Sequence, residues 1–235
     1  MNSLNFSQRG VTLIEILIAL TLSIIIILAM LRAFVTTGKV TAEASLGAQT
    51  DSGLMLGLIA TDRILQGIGF GDMPNYGSGF KAYKFIGADS SDTYNVTTNS
   101  SDNAEYLVWA VGANKCQALR NASNGLLLYG KGAGYSCTDL SKPDLDDDSV
   151  SVERLIQIND AVQNIQFETG KDADQKIGAM HIAVDQKECW PFGIVNSTDL
   201  KPGKYQVVIA TNTYAASTET MAHKIENTTC LFNFK

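Results

Sequence analysis

The apolar residues of the chain are unevenly spread. From Val11 to Leu31 the order is VTLIEILIALTLSIIIILAML, 21 residues with a single charge, Glu15. A helix rising 1.5 Å per residue carries such a run across a hydrocarbon core of roughly 30 Å. Ile24 to Ile27 leave no polar face, so a helix lying flat on a membrane surface is excluded. The run is longer than the apolar part of a secretory signal, and no small-x-small site closes it, since Arg32, Ala33 and Phe34 follow. The expectation is a retained membrane helix.

Beyond the span the period changes. Leu46, Leu54, Leu58, Ile59, Leu65 and Ile68 recur at three- and four-residue spacings, the mark of an amphipathic helix over Thr41 to Ile68. Gly47, Gly53 and Gly57 weaken it by roughly 1 kcal/mol each relative to Ala. Gly67, Gly69, Gly71 and Pro74 end it. That glycine series neither follows a strand nor opens a helix, so it is no nucleotide loop.

Asn75 to Asn103 is loop chemistry around a short strand, Tyr83 to Ile86. β-like runs follow at Glu105–Val111, Leu126–Tyr129, Val152–Ile158, Val162–Phe167, Ile177–Val184, Tyr205–Ala210 and Cys230–Phe234. The fold class expected is α+β: a long N-terminal helix, first half transmembrane, with its second half packed on an antiparallel sheet.

Composition changes this picture little. The chain has 235 residues, 45% apolar and 18% charged, with a formal net charge of -6. It can bury a core, and the acidic balance argues against direct binding of nucleic acid, which needs Lys and Arg against phosphate.

Candidate chemistry is sparse. Cys116, Cys137, Cys189 and Cys230 all lie beyond the span, and their even number points to disulfides in an oxidising compartment. Three pairings are open; Cys116 with Cys137 and Cys189 with Cys230 are favoured because each closes the nearer segment. No C-x-x-C occurs and His181 and His223 are far apart, so no metal and no cofactor are expected. The acidic run Asp144, Asp146, Asp147, Asp148 and Ser149 lacks the Gly and Glu of an EF-hand and reads as a solvated loop. No nucleophile-elbow, phosphate-loop or zinc-protease motif is present, and nothing argues for an enzyme.

Glu15 is the exception. A carboxylate within an apolar span is costly and by default functional. Cleavage after Gly10 would place a new α-amino group at Val11, about one helical turn from Glu15. In a bundle of such helices one subunit's carboxylate could meet another's ammonium, and the pair is cheaper in lipid than either charge alone.

Arg9-Gly10-Val11-Thr12-Leu13-Ile14-Glu15 and the apolar run after it resemble the class III signal of type IV prepilins and type II secretion pseudopilins. The resemblance implies a leader at 1–10, a membrane peptidase cutting after Gly10 and N-methylating Val11, and Glu15 as the assembly glutamate. Val11 stands where that family usually has Phe. Lys39 to Gly71 resembles the PilW-type minor pilin, with Leu54, Leu58, Ile59, Asp62, Arg63 and Leu65 before a Gly69-Phe70-Gly71 turn. Val162, Ile165, Phe167 and Gly170 resemble that family's strand and turn glycine. The J-class pseudopilin shares the helix and the acid/base pair.

The organisation so implied is a leader at 1–10, a transmembrane and assembly helix at 11–31, the periplasmic half of the long helix at 32–71 and a β-rich periplasmic domain at 72–235. The implied function is that of a non-enzymatic minor pilin of a type IV pilus, anchored once in the inner membrane. Its partners would be the prepilin peptidase, other minor pilins and the major pilin. The rival readings are a J-class pseudopilin and a bitopic anchor carrying a periplasmic binding domain. A bulky residue at position 10 should stop cleavage; a mature N-terminus in the mass spectrum of that variant would overturn the motif assignment.

Overall fold

The computed structural model describes residues 11–70, 79–85, 94–97, 99, 101–122, 125–145, 147–158, 180–190, 202–213 and 224–234. The chain divides into two compact units at Ser45/Leu46. Helix α1 spans Leu13–Gln66. Within the first unit its side chains are exposed, apart from a half-buried Glu43.

The second unit is built on the remainder of α1 and two antiparallel sheets. The strands are β1 (Phe80–Phe85), β2 (Tyr94–Val96), β3 (Tyr106–Gly112), β4 (Lys115–Ala122), β5 (Gly125–Tyr129), β6 (Tyr135–Ser136), β7 (Val152–Gln157), β8 (His181–Asp185), β9 (Tyr205–Asn212) and β10 (Lys224–Leu231). The larger sheet runs β2-β1-β3-β4-β5-β7, with β6 also on β4; the smaller runs β10-β9-β8. The α+β class holds, with two sheets where the pattern predicted one. Asn103 and Asn121 join them: Asn103 Oδ1 accepts the Ile182 amide at 2.9 Å, and Asn121 donates to the Met180 carbonyl at 2.7 Å. The Ala104 amide adds a backbone bond to the Ile182 carbonyl at 2.7 Å, and apolar periodicity is blind to all of these.

The core lies where α1 meets both sheets. Leu54, Leu58 and Leu65 join Leu107, Leu119 and Ile156 of the larger sheet and Ile182, Val207 and Ile209 of the smaller one. Ile59, grouped above with this stripe, is instead 53% exposed. One position after Leu58 is about 100° further round the helix, which turns Ile59 away from the sheets.

Gly57 is needed for close packing. A Cβ there would stand 2.6 Å from the Leu155 carbonyl and would also strike the Ile156 side chain. Helix propensity is given up so that α1 can lie close to β7. At the far end of the core Phe80, Tyr205 and Phe234 meet edge to face, with centroids 4.7, 5.1 and 6.1 Å apart. Gly69, at φ 77°, leaves room under the Phe234 ring.

Several strands differ from expectation: β1 begins at Phe80 and not Tyr83, and the short β2 and β6 were not expected. β4, KCQALRNA, was not expected, because its polar residues hide an alternation in which Cys116 and Ala118 face one side and Leu119 the other. The last strand is Lys224–Leu231 and not Cys230–Phe234; its solvent side carries Lys224, Glu226 and Thr228. Ile86, Val162–Phe167 and Ile177–Ala179 lie outside the described residues.

Gly57→Ala should destabilise the domain by about 1–3 kcal/mol through overpacking. Gly53→Ala, where a Cβ meets nothing within 4 Å, should stabilise it by up to about 1 kcal/mol. Denaturant titration of both variants in detergent checks the contrast.

Candidate assembly helix

Val11 and Thr12 precede α1, and the Thr12 carbonyl accepts the Glu15 and Ile16 amides at 3.1 and 3.3 Å. Glu15 therefore sits in the first turn, where the positive end of the helix dipole favours a carboxylate. Its side chain is exposed, as are those of the apolar residues after it, Leu20 at 54% and Ile25 at 63% among them. Gly10 lies outside the described residues. Thr21 and Ser23 donate their hydroxyls to the Ile18 and Ala19 carbonyls at 2.9 and 2.7 Å. These two hydroxyls are thereby satisfied within the helix, as an apolar medium demands. By length and composition α1 can cross a membrane.

Within the second unit α1 has two sides. On the buried side, Thr61 donates its hydroxyl to the Gly57 carbonyl at 2.7 Å. Thr229 donates to the Asp62 carboxylate, and Asn227 to the Leu58 carbonyl at 3.3 Å. Asn233 donates to the Gln66 and Ile68 carbonyls at 3.3 and 2.7 Å, closing carbonyls left over at the helix end. The other side carries Met55, Leu56 and Ile59 in water, with Arg63 one turn beyond. Asp62 fastens α1 to β10, while Arg63 faces solvent.

The four cysteines form two disulfides, Cys116–Cys137 and Cys189–Cys230. The first ties β4 to the segment after β6. The second ties β10 to the segment after β8, where Cys189 and Gly203 also exchange backbone hydrogen bonds at 3.0 and 2.9 Å. Of the acidic run, Asp144, Asp147 and Asp148 are exposed, and Asp146 lies outside the described residues. Asp147 accepts the Ser149 amide at 2.9 Å, an Asx turn that with the Ser149 hydroxyl holds its carboxyl below the usual range. His181, half-buried on β8, has its pKa lowered by burial and by Lys224. His223 lies outside the described residues. Among the described residues no three His, Cys, Asp or Glu side chains gather as a metal site would require.

Met55 and Leu56 were missed by the sequence reading, which sought one apolar stripe and not a second on the opposite side. Asn227, Thr229 and Asn233 were missed because polar residues near the C-terminus gave no sign that they would meet a helix about 165 residues earlier.

Residues 5–31 match the family model described as the prokaryotic N-terminal methylation motif. No curated protein and no solved structure matches the chain. The matched residues take in Gly10, Glu15 and the apolar run to Leu31, which is long and apolar enough to cross a membrane. The motif, and the helix it heads, indicate a type IV pilin- or pseudopilin-like protein with a helix fit to anchor it in a membrane.

Proposed function

We propose that the protein is a minor pilin of PilW type, cut after Gly10, N-methylated at Val11 and built into, or priming, a type IV pilus. The observation that carries this is the methylation motif at the head of a helix whose first 30 residues are exposed apolar-rich sequence. In the membrane lipid covers those side chains. In an assembly, neighbouring helices do.

Cleavage removes Arg9 and takes the net charge from -6 to -7. It also creates the ammonium that a neighbour's Glu15 can neutralise. The mature chain leaves the apolar medium only with its partners, so the charge pair favours association in the correct register. The second unit then carries partner specificity outside the membrane. Its exposed Met55, Leu56 and Ile59 extend the packing surface into that unit. A role in protein export, as a J-class pseudopilin, is distinguished by what co-purifies: secretion pseudopilins in place of minor pilins would replace the present reading.

Glu15→Ala should leave processing intact and reduce incorporation by at least about tenfold, the loss of one charge pair in an apolar medium. Normal incorporation of that variant would sink the counter-charge mechanism. A Leu56→Glu, Ile59→Glu double variant should retain the thermal stability of the parent, since both side chains face water, yet enter the assembly poorly. Unchanged recovery in sheared filaments would remove the outward face from the packing surface.

A further inference from the structure

The larger sheet has a second apolar side that the helix never touches. Tyr106, Val108, Ala110, Cys116, Ala118 and Tyr129 form it, alternating along β3, β4 and β5 with the residues that face α1. Unlike most one-sided antiparallel sheets, β3 is buried on both sides. Among the described residues this second side is covered chiefly by a short strap, Gly134–Pro143, whose Tyr135, Cys137 and Leu140 complete the cluster, with Val150 packed beside it. None of these three belongs to the core between α1 and the two sheets.

The strap is fastened at consecutive points. The Lys81 ammonium donates to the Asp139 carbonyl at 2.8 Å and pairs with its carboxylate at 2.9 Å. The Tyr83 hydroxyl donates to the Leu140 carbonyl at 2.8 Å, and β6 pairs with β4 at Cys116 and Lys115; within the strap the Tyr135 hydroxyl donates to the Ser141 carbonyl at 2.9 Å. Lys142 stands over the Tyr106 ring at 5.6 Å. At its start Cys116 and Cys137 are bonded, and the Cys137 amide donates to the Asn114 carbonyl at 3.1 Å. Asp139 and Leu140 are held at φ 53° and 56°, left-handed conformations that side chains disfavour. Such conformations persist only where the surroundings over-determine them.

We infer that the Cys116–Cys137 bond is a latch: with it formed the strap seals the second apolar side, and without it the strap opens as a unit while the helix–sheet core stays folded. The polar fastenings are each worth about 1 kcal/mol net. They are opposed by two left-handed residues and by the ordering of ten, at roughly 1–2 kcal/mol per residue. The crosslink spans 21 residues and restricts the open state of that loop. When the latch forms, the two thiols give up two electrons and two protons to a disulfide-bonded oxidant, which becomes a dithiol. Oxidation is then the maturation step that withdraws an apolar sheet side from water before the subunit meets its partners. The inference stands on the domain alone and does not require the pilin reading.

Hydrogen exchange on the full chain in detergent micelles tests it, comparing the parent with a Cys116→Ser, Cys137→Ser variant. Peptides across 134–143 should exchange at least about tenfold faster, while those across 54–66 and 205–212 change less than about twofold. Equal protection of the strap would overturn the latch, and loss of protection at 54–66 would show that the strap is not a separate unit. Tyr83→Phe, with the disulfide intact, should speed exchange in the strap alone by a few fold. Opening as wide as in the cysteine variant would make the hydroxyl the latch instead. Should the cysteine variant fail to accumulate, spread of the Tyr83→Phe effect to 54–66 decides against a separable strap.

Discussion

One buried stripe of α1, Leu54, Leu58, Thr61 and Leu65, is the contact on which both sheets depend. A sheet of three strands holds only with its apolar face covered, and β8, β9 and β10 form such a sheet. It is stable because its buried side chains share a core with the helix and the larger sheet. The stripe can serve both sheets only if the helix lies very close, and Gly57 permits that. The residue that looked like a weakness in the helix is therefore a condition of the fold, and Asp62 and Thr229 lock the same approach with a hydrogen bond.

The same helix meets opposite demands along its length. Near Glu15 its surroundings must be apolar and supplied by other molecules, so large side chains point outward on every side. From Leu46 onward the chain supplies its own apolar surroundings on one side only. The polar hydroxyls of Thr21, Ser23, Thr36, Thr50 and Thr61 fit both regimes because each donates to a carbonyl within the helix. Residues that would otherwise interrupt an apolar surface cost little when their only hydrogen is already bound.

How much was legible in the sequence follows from which interactions are periodic. The span, the stripe and the strands Glu105–Val111, Leu126–Tyr129 and Val152–Ile158 were, because burial on a helix or sheet repeats at a fixed interval. The two-sheet division was not, because Asn103 and Asn121 bridge strands distant in sequence and carry no period. β4 was hidden by Lys115, Gln117, Arg120 and Asn121, which a strand between two others tolerates when Arg120 lies over Tyr106 and toward Glu105. Of the proposed assembly surface, Glu15 is legible as a charge out of place. The outward Met55 and Leu56 were not, since an exposed apolar side cannot be told from a buried one without knowing where the sheets lie.

The two disulfides divide the labour in a way that reflects this layout. Cys189–Cys230 joins strand β10, which holds α1 through Asn227 and Thr229, to the segment following β8. It therefore reinforces the shared core from the side of the smaller sheet. Cys116–Cys137 touches no part of that core and closes only the second side of the larger sheet. A sheet buried on both sides needs two covers, and a single helix can supply only one. The short strap can supply the other only because it is crosslinked, since ten residues bury too little apolar surface to offset their own ordering.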